Sequence, residues 1–296
     1  MVASITDKPL LRRRLGLALV RGDKRAAFLI EHVVADLTER LAAVERRFPV
    51  AVAHCGQSDG LALALAGSGK VGAVFRLEAA EAALNDACIA GAVGDEEALP
   101  FAPATLDLFV STLALQFSND LPGALLQIRM ALKPDGLFLA AMTGGRTLAE
   151  LREALVAAET ELSGGASPRV IPTADTPDLG VLLQRAGFAL PVADRDTLTV
   201  RYDSAFGLFR DLKAMGASNV LAERERRPAR RRLFLRAAEI YAERFSDDDG
   251  RVRASFEIVS LSGWAPHESQ QKPARRGSGT VSLAAVLGRG KPAKHS

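Results

Sequence analysis

The chain has few of the residues that settle a protein's class at once. Its 296 residues include two cysteines, one tryptophan and two tyrosines. Cys55 and Cys88 are too few for a disulfide framework or a zinc centre of their own. So low a thiol content suits a reducing cytoplasm. No apolar run approaches the roughly 20 residues of a membrane helix. With 38 basic residues against 35 acidic ones, the net charge of +3 makes no electrostatic case for a nucleic-acid partner. Asp247, Asp248 and Asp249 are consecutive and lack the alternation and distal glutamate of a calcium loop. The four histidines, His32, His54, His267 and His295, form no two-histidine-one-carboxylate set, so no metal is expected. What the chain does have is apolar bulk. At 48% hydrophobic residues it can bury a sizeable core in one large domain or two small ones.

Residues 1–23 are a basic N-terminal segment that includes Lys8, Arg12, Arg13, Arg14 and Arg21. It lacks the apolar core and cleavage site of a secretory signal; a short basic helix or a mitochondrial presequence fits it. From Phe28 to Val44, apolar residues recur at helical spacing. Pro49 ends that helix, and Val50–Ala53 reads as a buried strand. A turn, His54-Cys55-Gly56-Gln57-Ser58-Asp59-Gly60, leads into a helix from Leu61. Strand, glycine-bearing turn and helix together can bring backbone N–H groups to a cofactor. A second strand, 72–77, ends at Glu78, where an acid can accept from both hydroxyls of a ribose.

An alanine-rich helix is expected over 79–88 and a third strand over 89–93, ending at Gly94-Asp95-Glu96. Strands over 106–111 and 137–142 flank a helix over 121–132 that Pro134 and Gly136 close. Further helices follow over 147–161, where Arg146 and Glu150 are spaced to pair, and over 176–186. Strands over 190–201 and 256–264 enclose a helical insertion with a basic run, Arg224–Arg232. Strands alternating with helices predict a parallel sheet covered on both faces. Thr280–Leu283 is a candidate short strand near the C-terminus.

These segments resemble a class I S-adenosylmethionine-dependent methyltransferase. The residues that carry the resemblance are Val93-Gly94-Asp95-Glu96-Glu97-Ala98-Leu99-Pro100-Phe101, Asn119-Asp120-Leu121-Pro122 and Leu132-Lys133-Pro134-Asp135-Gly136. Further along come Met215-Gly216, Ser218-Asn219, Gly263-Trp264 and His267-Glu268-Ser269-Gln270. Together they are similar to the methyltransferase-like assembly factors of respiratory complex I, and more distantly to the malonyl-carrier-protein methyltransferases of the biotin pathway. The resemblance implies a Rossmann-like seven-stranded, mostly parallel sheet over 24–201 and 252–284, with a helical insertion or cap, 202–251, before the last strand and a flexible tail, 285–296. It implies S-adenosylmethionine as cofactor, held by Gly56, Gly60, Glu78, Asp95, Glu96 and Ser111, with Ser111–Gln116 lining the methionine end.

The same resemblance implies a protein substrate such as a complex I subunit, and an arginine hydroxylation associated with the family. It implies work in the cytoplasm, or in the mitochondrial matrix for a nuclear-encoded chain, with peripheral membrane contact open. The family's first turn carries an acid and then Gly-x-Gly-x-Gly. Here Ala53 stands at the acid's place, and Gly56 and Gly60 remain. That departure favours the alternative of a non-catalytic scaffold with an eroded cofactor site; carrier-protein or small-molecule methylation is a further alternative. The sequence identifies no catalytic residue. His54 and Cys55 invite a catalytic pair, but adjacent residues rarely face each other.

Overall fold

The computed structural model describes residues 4–23, 27–55, 57–85 and 87–270. Met1–Pro266 forms one compact unit and His267–Ser296 a second. Of the second unit only 267–270 are described, as a turn closed by the Gln270 N–H on the His267 carbonyl. The candidate strand at Thr280–Leu283 and the tail lie outside the described residues.

One seven-stranded sheet organises the first unit. Its strands are β1 (Phe48–His54), β2 (Val71–Glu78), β3 (Gly91–Val93), β4 (Leu106–Thr112), β5 (Leu132–Thr143), β6 (Ala189–Tyr202) and β7 (Val252–Trp264), in the order β3-β2-β1-β4-β5-β7-β6. The first five run parallel, while β7 lies antiparallel to both β5 and β6. Successive strand residues face opposite ways, and the burial follows suit. Ala51 and Ala53 of β1 and Leu108 and Val110 of β4 join one core, and Val52 and Phe109 join the other. The first core is covered by α2 (Phe28–Ala42), α3 (Gly60–Gly67), α5 (Ala149–Ser163), α7 (Ala205–Ala214) and α8 (Arg231–Phe245). The second is covered by α4 (Leu121–Ala131) and α6 (Thr176–Arg185).

The N-terminal segment is a packed helix, α1 (Lys8–Arg21). Asp7 caps its start by accepting the Leu10 N–H, and Gly22 closes it in the left-handed region at φ 61°, where a side chain would be strained. Leu11, Leu15 and Ala18 are buried. The lead-in is fastened at both sides. Asn119 Oδ1 accepts the N–H groups of Ile5 and Thr6 at 2.7 Å, and Thr6 bridges Leu221.

Three local expectations change. Among the described residues of 79–88 the one helical turn is 3-10, Glu81–Ala83, because the Ala83 carbonyl accepts from Arg76 Nη2 instead of continuing a helix. Strand β5 begins at Leu132, directly after α4, so the Lys133-Pro134-Asp135-Gly136 turn is part of it. Glu150 turns to the Ser255 hydroxyl and N–H, not to Arg146. Between β6 and β7 stand α7 and α8; most of the basic run is loop, and Arg224 pairs with Asp7 at 3.0 Å.

Candidate functional site

Parallel register gathers the predicted residues at one edge. His54 lies opposite Leu77 and Ser111, and Glu78 lies opposite Val93, so the ends of β1 to β4 meet there. Glu78 is at that edge but only 1% exposed. Its Oε1 accepts from Arg76 Nη2 at 2.8 Å and Nε at 3.2 Å, and its Oε2 accepts the Gln57 N–H at 3.2 Å. Arg76 is two residues back on the same face of β2 and equally buried. Its Nη1 donates to Asp59 Oδ1 at 2.7 Å, and Asp59 Oδ2 accepts the Cys88 N–H at 2.8 Å. A guanidinium so deep in a sheet persists only when each donor finds an acceptor. The signal was in the sequence: one charge inside the apolar run Val71–Leu77.

In the first turn, Cys55 and Gln57 occupy the left-handed region, at φ 55° and 57°. A side chain there costs about 1 kcal/mol, which is why a turn of this shape favours glycine. The left-handed positions therefore flank Gly56, which itself lies outside the described residues. Gly60 opens α3. Together with Ser58 and Leu61, and with Val34 and Ala35 of α2, it lines an open groove of about 550 Å³.

After β3, Asp95, Glu96 and Glu97 converge, their carboxylate oxygens within 4.8 Å of one another. The Lys8 ammonium sits among them, bonded to Glu96 and 3.3 Å from both Asp95 and Glu97. Arg12 adds a contact of 2.6 Å to Asp95. Burial raises the Asp95 carboxyl, but the Glu97 N–H and Lys8 outweigh it, and the pKa falls below the ordinary value. Glu96 is pushed up by burial, which its neighbour Lys8 only partly offsets. Burial works against the Lys8 ammonium, yet the charge of Glu96 and its neighbours raises the Lys8 pKa.

Ser111 is fully buried, and its hydroxyl is 2.9 Å from His54 Nδ1. Burial, with help from Lys8, pushes the His54 pKa down to about 4, and the ring is neutral. Burial also drives the Cys55 thiol well above its ordinary range. Neither residue is activated, and they do not act as a pair. Farther along the edge, the turn Gly144–Thr147 wraps Glu257 of β7; a Cβ on Gly144 would stand 2.3 Å from Glu257 Oε1. The Glu257 carboxylate is 4% exposed and 3.8 Å from Arg195. Gln116 Oε1 and Thr143 Oγ1 are buried here without a hydrogen-bond partner, as are Thr173 Oγ1 and Thr176 Oγ1 on the segment around Asp175 that faces Gly145. Sequence reasoning did not find Arg76, Lys8, Thr143 or Glu257.

A sheet whose first five strands run parallel, with an antiparallel β7, is the class I methyltransferase fold. The methyltransferase domain family matches residues 54–140. The YcgJ protein of Bacillus subtilis shares the fold, with a TM-score of 0.55 at 15% identity over 79% of this chain and 99% of that one. The mitochondrial arginine-hydroxylase NDUFAF5 of Mus musculus is 41% identical over 286 residues, covering 95% of this chain and 83% of that protein. The Homo sapiens protein is 40% identical, covering 95% and 82%. The malonyl-[acyl-carrier protein] O-methyltransferase of Methylovorus sp. (strain MP688) is 34% identical over 89% of this chain and 91% of its own length. The chain belongs to the NDUFAF5 arginine-hydroxylase family.

S-adenosylmethionine is the cofactor this fold implies, and the edge does not fit it in the manner expected from the sequence. Glu78 has a guanidinium where ribose hydroxyls would bind, Asp95 and Glu96 hold an ammonium, and the Gln57 N–H is spent on Glu78.

Proposed function

We propose that this chain works in the assembly of respiratory complex I, binding a protein partner at the carboxyl edge of its sheet. Kinship over 95% of this chain and 83% of NDUFAF5 supports this reading, since it includes the insertion as well as the sheet. An unpaired polar atom in a core is costly, and an edge that opens to a partner's side chain would give the buried oxygens of Gln116, Thr143, Thr173 and Thr176 the bond they lack. Glu257, wrapped by the turn that follows Thr143, suits a basic side chain such as arginine. Deleting the gene in its host and resolving respiratory complexes on native gels tests the reading. Complex I is expected to stall before completion and to recover when the wild-type chain is restored. Normal assembly in the deletion strain sinks the proposal. Rescue of a strain lacking malonyl-carrier-protein methyltransferase would point to the carrier-protein alternative instead.

A second reading is S-adenosylmethionine-dependent modification of that partner. What favours it is the placing of Asp95 and Glu96 directly after β3, the position the family resemblance assigns to adenine, within the matched methyltransferase domain. It requires Glu78 to exchange Arg76 for ribose.

A further inference from the structure

Glu78 stands at the strand end where an acid would meet ribose, and its carboxylate is already bonded within the chain. Oε1 takes two donors of Arg76, and Oε2 takes the Gln57 N–H. Arg76 donates in turn to Asp59 at the start of α3, to Glu78 at the end of β2 and to the Ala83 carbonyl in the 3-10 turn. These three links tie together segments that a bound nucleotide would otherwise tie. Both side chains are 1% exposed, so no pair of hydroxyls reaches Glu78 unless the guanidinium leaves. A guanidinium that left would have to shed its acceptors in an apolar surrounding, or carry two strands of the edge with it. At the neighbouring strand end, Lys8 lies among Asp95, Glu96 and Glu97, and α1 holds it there by Arg12 on Asp95 and by the Asp7–Arg224 pair. The backbone of the turn carries side chains at both left-handed positions, Cys55 and Gln57, where a close-lying ligand needs none.

We infer that the chain supplies its own cations in the place of adenosine. Arg76 fills the ribose position and Lys8 the adenine position, so the edge is braced from within and takes no S-adenosylmethionine. This rests on the assembly-factor reading for what the rest of the edge serves.

The test titrates S-adenosylmethionine and S-adenosylhomocysteine into the full-length wild-type chain by calorimetry and follows melting with and without ligand. Two variants are melted in parallel, Arg76→Leu and the triple Asp59→Asn/Arg76→Leu/Glu78→Gln. The wild type is expected to show no saturable heat up to about 1 mM ligand and no rise in Tm. Arg76→Leu is expected to melt about 8 °C lower, and the triple variant to regain at least half of that, because a buried ion cluster replaced as a whole costs far less than one broken. Saturable binding by the wild type at about 10 μM overturns the inference, as does a triple variant no more stable than Arg76→Leu. If Arg76→Leu yields no folded protein, a triple variant that folds gives the supporting answer. The deletion strain keeps the two claims apart. Rescue of complex I by a chain that also binds the nucleotide removes the inference and keeps the assembly reading. No rescue by a chain that binds no nucleotide removes the assembly reading and keeps the self-filled cleft.

Discussion

At the β2 and β3 ends of the carboxyl edge, Arg76 and Lys8 meet Asp59, Glu78, Asp95 and Glu96 acid to base within the chain. At the β4 and β5 ends, Gln116 Oε1 and Thr143 Oγ1 are buried with nothing to bond. Both ends belong to one sheet. The difference lies in where the partners of buried polar groups come from. A group matched internally stabilises the fold and is closed to ligands; an unmatched group weakens the fold and keeps its bond for something outside. The two halves of the edge therefore differ in how their buried polar groups are satisfied, although one sheet carries both.

The comparison is most exposed to failure at Arg76. Arg76→Leu strands the buried Glu78 and the half-buried Asp59 and is expected to cost about 4 kcal/mol in chemical denaturation, a loss typical of breaking a buried ion cluster. A cost below 1 kcal/mol would mean that the cluster does not brace the fold. His54 gives the next largest effect, read through pH. Its folded pKa of about 4 lies below the unfolded value near 6.5, so the unfolded chain takes the proton first. The stability it contributes is fully present above pH 6.5 and is lost as pH falls toward 4. The wild type should lose about 3 kcal/mol more than His54→Gln between pH 7 and pH 4. Parallel stability profiles for the two proteins would place His54 outside the buried edge.

Lys8→Met should cost about 2 kcal/mol, since it leaves the buried Glu96 without its cation. It should also raise hydrogen exchange in α1 while leaving β5 protected, and uniform exchange in both would break the link between Lys8 and the clasp. The smallest stability effect belongs to the other end of the edge. Thr143→Val removes an unpaired hydroxyl and should change stability by no more than about 0.5 kcal/mol, yet weaken rescue of complex I assembly. Full rescue by that variant would take Thr143 out of the partner site.

Much of the sheet was legible because apolar strands alternate with amphipathic helices, and β1, β4, α4 and α6 fall within a residue or two of the expected spans. The acids were legible too, since Glu78 and Asp95 do stand at strand ends. What surrounds them was not. Ion pairing joins Lys8 to Asp95 and Arg224 to Asp7 across long separations, and no local pattern encodes such a partner. The alanine-rich stretch after β2 satisfies helix propensity, but Arg76 takes the Ala83 carbonyl, a tertiary effect that propensity cannot see. The turn was judged by which glycines survive, whereas the constraint lies in φ, and Cys55 and Gln57 adopt it at a cost.

The clasp around α1 also bears on how the chain is made. Asp7 pairs with a residue 217 positions later, and Arg14 bonds the Asn219 carbonyl, so α1 leaves the ribosome well before these partners do. Until the insertion has been translated, α1 lacks these anchors and is held by the Asp95 loop, with Asn119 on its lead-in. Biogenesis then includes a long-range closure between an early and a late part of the nascent chain, a kind of contact that forms slowly because so much chain must be ordered first. A ribosome stalled before Val220 should carry a chain whose sheet is under way and whose first helix is still open to a protease.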